Sequence, residues 1–223
     1  MYMSNQKIVY YNLDPIDSEN ADFNLIYGER SNGKSYQVKH KKGINPYLDS
    51  IKKATEDSIK KAERFMLIRR WKEEIKPEKI EQYFMDIDIY KLTEGKYNCI
   101  SLYKGKIWLS NYDPDSKPQL KRGDYIAYVV ALSTEQTYAG ASYLDVKNMI
   151  FEEFMARGLY LPHEPDKLMN LYSTVDRKRG TTRLWLVGNT ISRVCPYIEE
   201  WGLHDLISNQ KQGTIITKEI STG

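Results

Sequence analysis

The sequence has few of the residues that build zinc sites, disulfide frameworks or membrane spans. It contains two cysteines and three histidines in 223 residues. Cys99 and Cys195 are far apart and lack the spacing of metal ligands, which excludes a cysteine-based metal site and a disulfide scaffold. No apolar stretch is long enough to cross a bilayer, and residues 1–7 lack the apolar core of a signal peptide. We therefore expect reduced thiols in a cytoplasmic protein with no membrane partner.

A large excess of charge of one sign is also missing. The chain has 33 basic and 30 acidic residues, for a net charge of +3. Such a balance does not by itself indicate a polyanionic partner, so any contact with nucleic acid must come from local clusters. The hydrophobic content of 41% is enough to bury the core of one large domain.

The most informative feature that is present is a glycine-rich loop. Residues 28–35 read Gly-Glu-Arg-Ser-Asn-Gly-Lys-Ser, a complete P-loop motif, and they follow the apolar run 23–27. A strand that leads through such a turn into a helix points several backbone N–H groups at one place, where a phosphate binds. Lys34 is expected to reach the β- and γ-phosphates and Ser35 to ligate Mg²⁺. The alternative is a flexible surface loop that matches the motif by chance. The predicted nucleotide-binding residues are Gly28, Glu29, Arg30, Ser31, Asn32, Gly33, Lys34 and Ser35.

Apolar, β-branched and aromatic runs predict strands at 23–27, 65–70, 97–103, 106–110, 125–132, 148–151 and 183–188. Helical patterns lie between them, at 35–41, 49–64, 75–85, 165–175 and 196–203. This alternation predicts an α/β fold with a mostly parallel sheet and helices on both of its faces. The hairpin-like segment 97–110 predicts a small antiparallel insertion.

The same pass along the chain predicts its organisation. Residues 1–22 are polar and are expected to form an irregular N-terminal arm, and residues 111–123 are rich in Pro and Asp and are expected to be a loop. We see no boundary inside 23–210 and expect one domain there. Residues 211–223 are expected to be a linker or tail.

A pair of acids follows a second apolar run. Glu152 and Glu153 come directly after residues 148–151, which is the Walker B arrangement. In such sheets ligands bind at the strand ends, where the first acid holds Mg²⁺ and the second polarises the attacking water. A kinase does not need the second acid, because its acceptor is a substrate hydroxyl, so the pair favours hydrolysis. The alternative is two exposed acids at the start of a loop.

Several basic residues are candidates for contacts with phosphate. Residues 176–180 read Asp-Arg-Lys-Arg-Gly, which is typical either of a solvated helix end or of an arginine that completes another active site. A protein that binds nucleic acid without regard to sequence contacts the phosphate backbone and not the bases. Ordinary surface charge is the alternative for each candidate. The candidates for contacts with nucleic-acid phosphates, such as those of DNA, are Arg69, Arg70, Lys104, Lys106, Lys121 and Arg122, with Lys117 in the same basic loop.

Taken together, six segments resemble the DNA-encapsidation ATPases of small short-tailed phages, the phi-twenty-nine-like packaging motors. They keep their order and spacing over nearly the whole chain after residue 20, and they lie at 24–36, 65–71, 150–154, 173–179, 186–190 and 195–197. The resemblance implies a P-loop NTPase with a RecA-like, additional-strand, catalytic-glutamate core. It also implies a homo-oligomeric ring, pentameric in this family, that uses ATP and Mg²⁺ to drive double-stranded DNA through a portal into a procapsid in the host cell cytoplasm. A structural RNA takes part in some relatives.

The resemblance implies individual roles in the nucleotide site. Lys34 matches the phosphate ligand and Ser35 the Mg²⁺ ligand. Arg30 matches an arginine that touches the nucleotide within its own subunit. Glu152 occupies the metal position, where the family has Asp, so one extra methylene group must be accommodated. Glu153 matches the catalytic glutamate.

Further roles lie outside the loop and the acid pair. Arg177 matches the finger inserted into the neighbouring subunit's site, with Arg179 as the near alternative. Asn189 matches a polar sensor of the γ-phosphate. Relatives carry a second, nuclease-like domain, and this length leads us to expect an isolated ATPase domain. Two other functions stay open: a P-loop kinase for a small molecule or nucleotide, and an assembly subunit that binds ATP without appreciable hydrolysis.

Overall fold

Seven strands form a single sheet in the computed structural model, which describes residues 11–53, 62–190 and 194–219. In chain order they are β1 (Phe23–Gly28), β2 (Arg64–Arg69), β3 (Cys99–Tyr103), β4 (Lys106–Tyr112), β5 (Leu120–Ala131), β6 (Val146–Glu152) and β7 (Arg183–Asn189). Their spatial order is β1-β7-β6-β2-β5-β4-β3. The first five strands in this order are parallel, whereas β4 pairs antiparallel with both of its neighbours, β5 and β3. The predicted α/β fold with a mostly parallel sheet and an antiparallel insertion is therefore confirmed.

Short helices connect the strands. They are α1 (Asp14–Ser18), α2 (Lys34–Val38), α3 (Asn45–Lys52), α4 (Pro77–Tyr83), α5 (Ile89–Leu92), α6 (Glu164–Asp176), α7 (Pro196–Glu200) and α8 (His204–Asn209). A π-helical segment, Lys39–Ile44, joins α2 to α3, and 3₁₀ segments occupy Lys72–Glu74 and Leu132–Tyr138. Among the described residues, no helix is long and apolar enough to cross a membrane.

The sheet has a separate apolar core on each face. In β2, Phe65 and Leu67 pack on the face covered by α3 and α4, while Met66 and Ile68 pack on the face covered by α6 and α7. This division follows from the two-residue period of a strand, because successive side chains point to opposite faces. A strand buried on both faces is apolar throughout, and each such side chain contributes about 1.5–3 kcal/mol by its burial. The prediction of helices on both faces is confirmed.

The expectation of an irregular arm at 1–22 is wrong for the part that the structure describes. Residues 14–18 form α1, and Leu13 just before it is fully buried in the core. Asp14 and Asp17 pair with Lys41 and Lys42 of the π-helical segment. The polar composition suggested an irregular segment exposed to solvent. The acidic side chains of this helix instead pair with lysines of the folded domain. Residues 1–10 lie outside the described residues.

Two further boundaries differ from the prediction. The helix predicted at 49–64 begins earlier, at Asn45, and Arg64 already belongs to β2, where it pairs with Asp145 at 3.0 Å. Residues 54–61 of that prediction lie outside the described residues. The loop predicted at 111–123 is shorter, because β4 continues to Tyr112 and β5 begins at Leu120. Hydrogen bonding between these two strands outweighs the loop-like composition.

Candidate functional site

The glycine-rich loop of residues 28–35 follows β1 and leads directly into α2. Gly28 and Gly33 have φ angles of +156° and +84°, in the region that side chains disfavour, so glycine suits both positions. Two hydrogen bonds fix the loop from outside. The Tyr11 N–H donates to the Asn32 carbonyl at 2.9 Å, and the Thr190 N–H, just after β7, donates to the Gly28 carbonyl at 3.0 Å. The tertiary structure therefore holds the loop at the carboxyl edge of the sheet.

Lys34 is buried and turned back onto the loop. Its ammonium donates to the carbonyls of Gly28 and Glu29, at 3.3 and 2.5 Å, and to Oδ1 of Asn32 at 3.0 Å. Burial lowers the pKa of Lys34, and the negative charges of Glu152 and Glu29 oppose that shift. The Lys34 ammonium is thus held against the loop. Its N–H groups donate to neutral oxygen atoms of the loop, and these are the same N–H groups that would bind an anion.

Ser35 and Glu152 meet although 117 residues separate them in the chain. The Ser35 hydroxyl donates to Oε2 of Glu152 at 3.0 Å. The strand order explains the contact, because β1 and β6 both end at this edge with only β7 between them. Glu152 is 5% exposed, and this burial raises its pKa, while hydrogen bonds from Tyr83 and Ser35 oppose the rise.

The surroundings of Glu152 suit a small divalent cation. Among the described residues, no lysine or arginine forms an ion pair with this buried carboxylate. Arg69 and Lys39 act on this carboxylate only through space, and burying a carboxylate without a direct ion pair is costly. A hydroxyl beside a carboxylate supplies the oxygen donors that Mg²⁺ prefers. The described residues contain no group of three or more His, Cys, Asp or Glu that could hold a metal. Any ion here would therefore complete its coordination with phosphate oxygens and water.

Next to this pair, Arg30, Glu153 and Asn189 line one cleft of about 250 Å³. Asn189 is the last residue of β7, opposite Gly28, and β7 lies between the strands that carry the loop and the acids. Glu153 has a left-handed backbone, with φ of +59°, which turns the chain away from β6. The fold thus gathers three predicted site residues from three separate segments.

Arg70 is not a surface residue, and its prediction as a DNA contact is wrong. It is 6% exposed, and its guanidinium meets both carboxylate oxygens of Glu164, at 2.8 and 2.9 Å. It also donates to the carbonyls of Glu153 and Phe154, each at 3.0 Å. Four of the five guanidinium N–H groups bond inside the protein, and the buried Glu164 already neutralises the charge that a DNA phosphate would need. Arg70 instead supports the backbone of the loop that carries Glu153.

Arg177 and Arg179 lie at the opposite edge of the sheet from the cleft. They follow α6 and precede β7, and β6 between the two edges has seven residues, so the separation is about 20 Å. Arg179 donates to four backbone carbonyls, those of Asp176, Leu144, Tyr143 and Val175. Arg177 is exposed and uses one nitrogen, Nη2, for the carbonyls of Gly140 and Ala141. Of the two arginines, Arg177 therefore keeps more unused donors, those on Nε and Nη1.

The other predicted DNA-binding residues are spread over two places. Arg69 pairs with Glu74 at 3.4 Å, close to the cleft. On the antiparallel strands, Lys104 and Arg122 both lie over the ring of Tyr103, at 5.3 and 4.3 Å from its centroid. In the same region Lys106 lies over Tyr125 and Tyr128, at 4.0 and 5.5 Å, and Lys117 and Lys121 are exposed.

Sequence reasoning missed residues that surround the site. Tyr83, the last residue of α4, donates its hydroxyl to Oε1 of Glu152 at 2.6 Å. Trp71 and Arg157 line the cleft with Glu153. No local signal marks these positions, because a tyrosine at a helix end and an arginine in a loop are ordinary features. Only the contact between the end of α4 and the end of β6 shows where the Tyr83 hydroxyl lies.

Comparison with known proteins agrees with this arrangement. The profile of the Podovirus DNA encapsidation protein (Gp16) family matches residues 5–213. The chain belongs to this family. The resemblance predicted from the six segments is thereby confirmed at the family level.

A known protein and two solved structures are similar to this chain in sequence and fold. The DNA packaging protein of Bacillus phage B103 is 30% identical over 189 residues, which are 81% of this chain and 48% of that protein. The N-terminal domain of the DNA packaging ATPase from bacteriophage phi29 has a TM-score of 0.65 at 25% identity, over 87% of this chain and 86% of that one. The bacteriophage phi29 genome packaging motor assembly has a TM-score of 0.63 at 25% identity, over 87% and 51%. The chain thus spans about half the length of the curated relatives it matches.

Proposed function

We propose that this chain binds ATP with Mg²⁺ and hydrolyses it as the motor domain that translocates double-stranded viral DNA into a procapsid. The observation that carries the proposal is the 3.0 Å contact between Ser35 and Glu152. A hydroxyl from the P-loop and an acid from the end of another strand are the two protein ligands that a Mg²⁺–nucleotide site requires. Nothing local in the sequence forces these two groups together.

The strand order supports a RecA-like, additional-strand, catalytic-glutamate core. β7 lies between the P-loop strand β1 and the acidic strand β6, and it presents Asn189 between them. We propose residues 23–210 as the nucleotide-hydrolysing domain, with 1–22 as an N-terminal arm and 211–223 as a linker.

Each residue of the site has a proposed part in hydrolysis. The loop N–H groups and Lys34, once it releases its carbonyl partners, bind the phosphates, and Arg30 lies where it can contact them from the same subunit. Ser35 and Glu152 would hold Mg²⁺, which when bound neutralises phosphate charge. Glu153 polarises the attacking water. Phosphoryl transfer depends mainly on positioning and charge neutralisation, and each of these roles supplies one or both.

The remaining proposed roles involve the nucleotide's effect on movement and contacts with other molecules. Arg177 lies far from its own cleft, so we propose that it completes the site of a neighbouring copy in a homo-oligomeric ring, which the resemblance makes pentameric. An arginine finger of this kind contributes 10³–10⁵ in rate. Asn189 would couple the state of the γ-phosphate to movement. Lys104, Lys106, Lys121 and Arg122 are proposed as DNA contacts, and the portal, and a structural RNA in some relatives, as partners in the host cell cytoplasm.

A phosphate-release assay with and without duplex DNA tests the proposal. We expect Mg²⁺-dependent hydrolysis that rises with protein concentration, because the site needs a second copy, and that rises again with duplex DNA. Lys34→Ala is the matched control and should abolish release. Transfer of phosphate to an added small acceptor without any effect of DNA would instead identify a kinase. Tight ATP binding with no release at any concentration would identify an assembly subunit.

A further inference from the structure

The carboxylate of Glu152 is fixed at both oxygens. Oε2 accepts from Ser35 at 3.0 Å and Oε1 accepts from the Tyr83 hydroxyl at 2.6 Å. Glutamate has one more rotatable bond than the aspartate that the resemblance implies at this position, so an unsupported Glu152 would hold its carboxylate less firmly. The hydrogen bond from Tyr83 removes that extra freedom.

Tyr83 is itself held firmly. Its carbonyl accepts from the Lys39 ammonium at 2.5 Å, and the same ammonium lies 4.6 Å from the centroid of the Tyr83 ring. Lys39 is 4% exposed, belongs to the helical segment that follows the P-loop, and pairs with Asp86. The ring of Phe84 packs edge-on against Tyr83, with centroids 4.8 Å apart. α4 is therefore attached to the P-loop helix through Lys39 and to β6 through Glu152.

We propose that Tyr83 is a positioning residue for the magnesium site: its hydroxyl holds Oε1 of Glu152 so that Oε2 stays beside the Ser35 hydroxyl. This inference rests on the proposed function, since it concerns the same site. It assigns to α4 a role that no motif indicates, and it explains how a glutamate can serve where an aspartate is expected. Groups of this kind, which orient a metal ligand without touching the metal, typically change metal affinity 10–100-fold when they are removed.

Tyr83→Phe tests the inference, because it deletes one oxygen and keeps the ring. Binding of a fluorescent ATP analogue to the whole chain is measured as Mg²⁺ is added, and again in EDTA. We expect Tyr83→Phe to raise the half-saturating Mg²⁺ concentration about tenfold and to leave the EDTA affinity unchanged. The matched control is Tyr172→Phe, which deletes a hydroxyl that donates to the Thr182 carbonyl at 3.0 Å at the opposite edge of the sheet. Circular dichroism verifies that both variants are folded.

Glu152→Asp tests the same contact from the carboxylate side and does so alone if Tyr83→Phe does not fold, since an unchanged Mg²⁺ requirement in Glu152→Asp would then overturn the inference. Glu152→Asp shortens the acid, so it can no longer reach both Ser35 and Tyr83, and it too should raise the Mg²⁺ requirement. In the Glu152→Asp background, Tyr83→Phe should add little further, because the contact is already lost. An equal increment in both backgrounds would overturn the inference, since it would show that Tyr83 acts independently of Glu152.

The outcomes separate this inference from the proposed function. If the wild-type chain binds no ATP analogue with Mg²⁺, both fail. If the wild type binds with Mg²⁺ but Tyr83→Phe has the same Mg²⁺ dependence, only the role of Tyr83 fails. An equal loss of affinity in EDTA, or the same effect from Tyr172→Phe, would also overturn it by showing a general loss of structure.

Discussion

Arg70 and Glu164 form a buried ion pair in which two guanidinium nitrogens meet two carboxylate oxygens at 2.8 and 2.9 Å. Glu164 is fully buried and also accepts from the Tyr197 hydroxyl at 2.8 Å, while Arg70 donates to the Glu153 carbonyl at 3.0 Å. The pair therefore joins the end of β2, the loop after β6, the start of α6 and the start of α7. Because Arg70 bonds the Glu153 carbonyl, the position of Glu153 depends on how these four segments pack together.

Glu164→Gln should strongly destabilise the chain. The change leaves the buried Arg70 charge without a counter-ion, and removing one partner of a buried pair costs about 3–5 kcal/mol. Urea unfolding followed by circular dichroism measures the loss in the free energy of unfolding. Glu94→Gln is the control, because Glu94 pairs with Lys52 on the exposed surface, where such pairs contribute little. Equal stabilities of the two variants would contradict the prediction.

Glu153→Gln should bind ATP and yet release phosphate at least tenfold more slowly. The amide keeps the size of the side chain but cannot accept a proton, which removes general-base assistance. Phosphate release and binding of a fluorescent ATP analogue are measured on the same preparation. Glu200→Gln, an exposed change on α7, should alter neither quantity. Near-normal turnover by Glu153→Gln would remove Glu153 from the proposed role.

Mixing Arg177→Ala chains with Lys34→Ala chains should restore part of the activity that each variant lacks alone. The reason is geometric: Arg177 is at the far edge of the sheet from its own cleft, so an intact site can form between two defective copies. Phosphate release is followed across mixing ratios. Arg179→Ala serves as the comparison and should lower stability, because its side chain bonds four carbonyls. No rescue at any ratio would count against a finger acting in a neighbouring copy.

The stabilising effect of Asp176 should depend on pH. Burial alone would raise the pKa of Asp176, but the N–H groups of Gly180, Thr181 and Thr182 donate to its carboxylate and hold the pKa below the ordinary 3.8. A depressed pKa in the folded state stabilises the protein above pH 3.8, and this stabilisation is lost as pH falls through the folded value. Asp176→Asn should therefore cost about 1–3 kcal/mol near pH 7.

Unfolding of the wild type and Asp176→Asn is compared between pH 7 and pH 2. We expect the difference in their free energies of unfolding to be constant down to about pH 5 and to shrink below pH 3.8. If the difference in the free energy of unfolding grew as the pH fell, it would contradict the prediction. The turn that Asp176 holds also carries Arg177, so Asp176→Asn should in addition weaken the Arg177-dependent activity.

Lys104 and Lys106 should contribute to DNA binding through phosphate contacts. Replacing both with Gln should weaken binding to duplexes of any sequence and reduce the dependence of affinity on salt by about one slope unit for each lost contact. Fluorescence anisotropy with a labelled duplex at several salt concentrations measures both effects. A Lys79→Gln and Lys91→Gln double variant removes the same charge from α4 and α5 and should leave the slope unchanged. If the two double variants lose affinity equally, the effect is one of net charge and not of this surface.

The sequence was sufficient for the parts of the site that depend on local pattern. The apolar run before residue 28 predicted β1, and the run before Glu152 predicted β6. Because parallel strands end at the same edge of a sheet, the loop and the acids could be expected to lie close together. The α/β class followed from the alternation of strands and helices. These inferences use neighbours in the chain, which is why they succeeded without coordinates.

Three of the omissions and errors have one cause in common, which is that the partner of each residue is distant in the chain. Arg70 was predicted to face DNA, but Glu164 lies 94 residues later and buries it. The arm before residue 22 was predicted to be irregular, but Leu13 enters the core formed by later elements. Tyr83 carried no signal at all, since its hydroxyl matters only because Glu152 is 2.6 Å away.

The sequence by itself determined the elements, the phosphate-binding loop and the chemical types available at the strand ends. Those properties follow from backbone preferences and from the periodicity of apolar residues over a few positions. Only the tertiary structure decided which charges are paired inside the protein and which stay free. Burial makes an unpaired charge costly, so packing selected Glu164 as the partner of Arg70 and left Arg177 at the surface with unused donors.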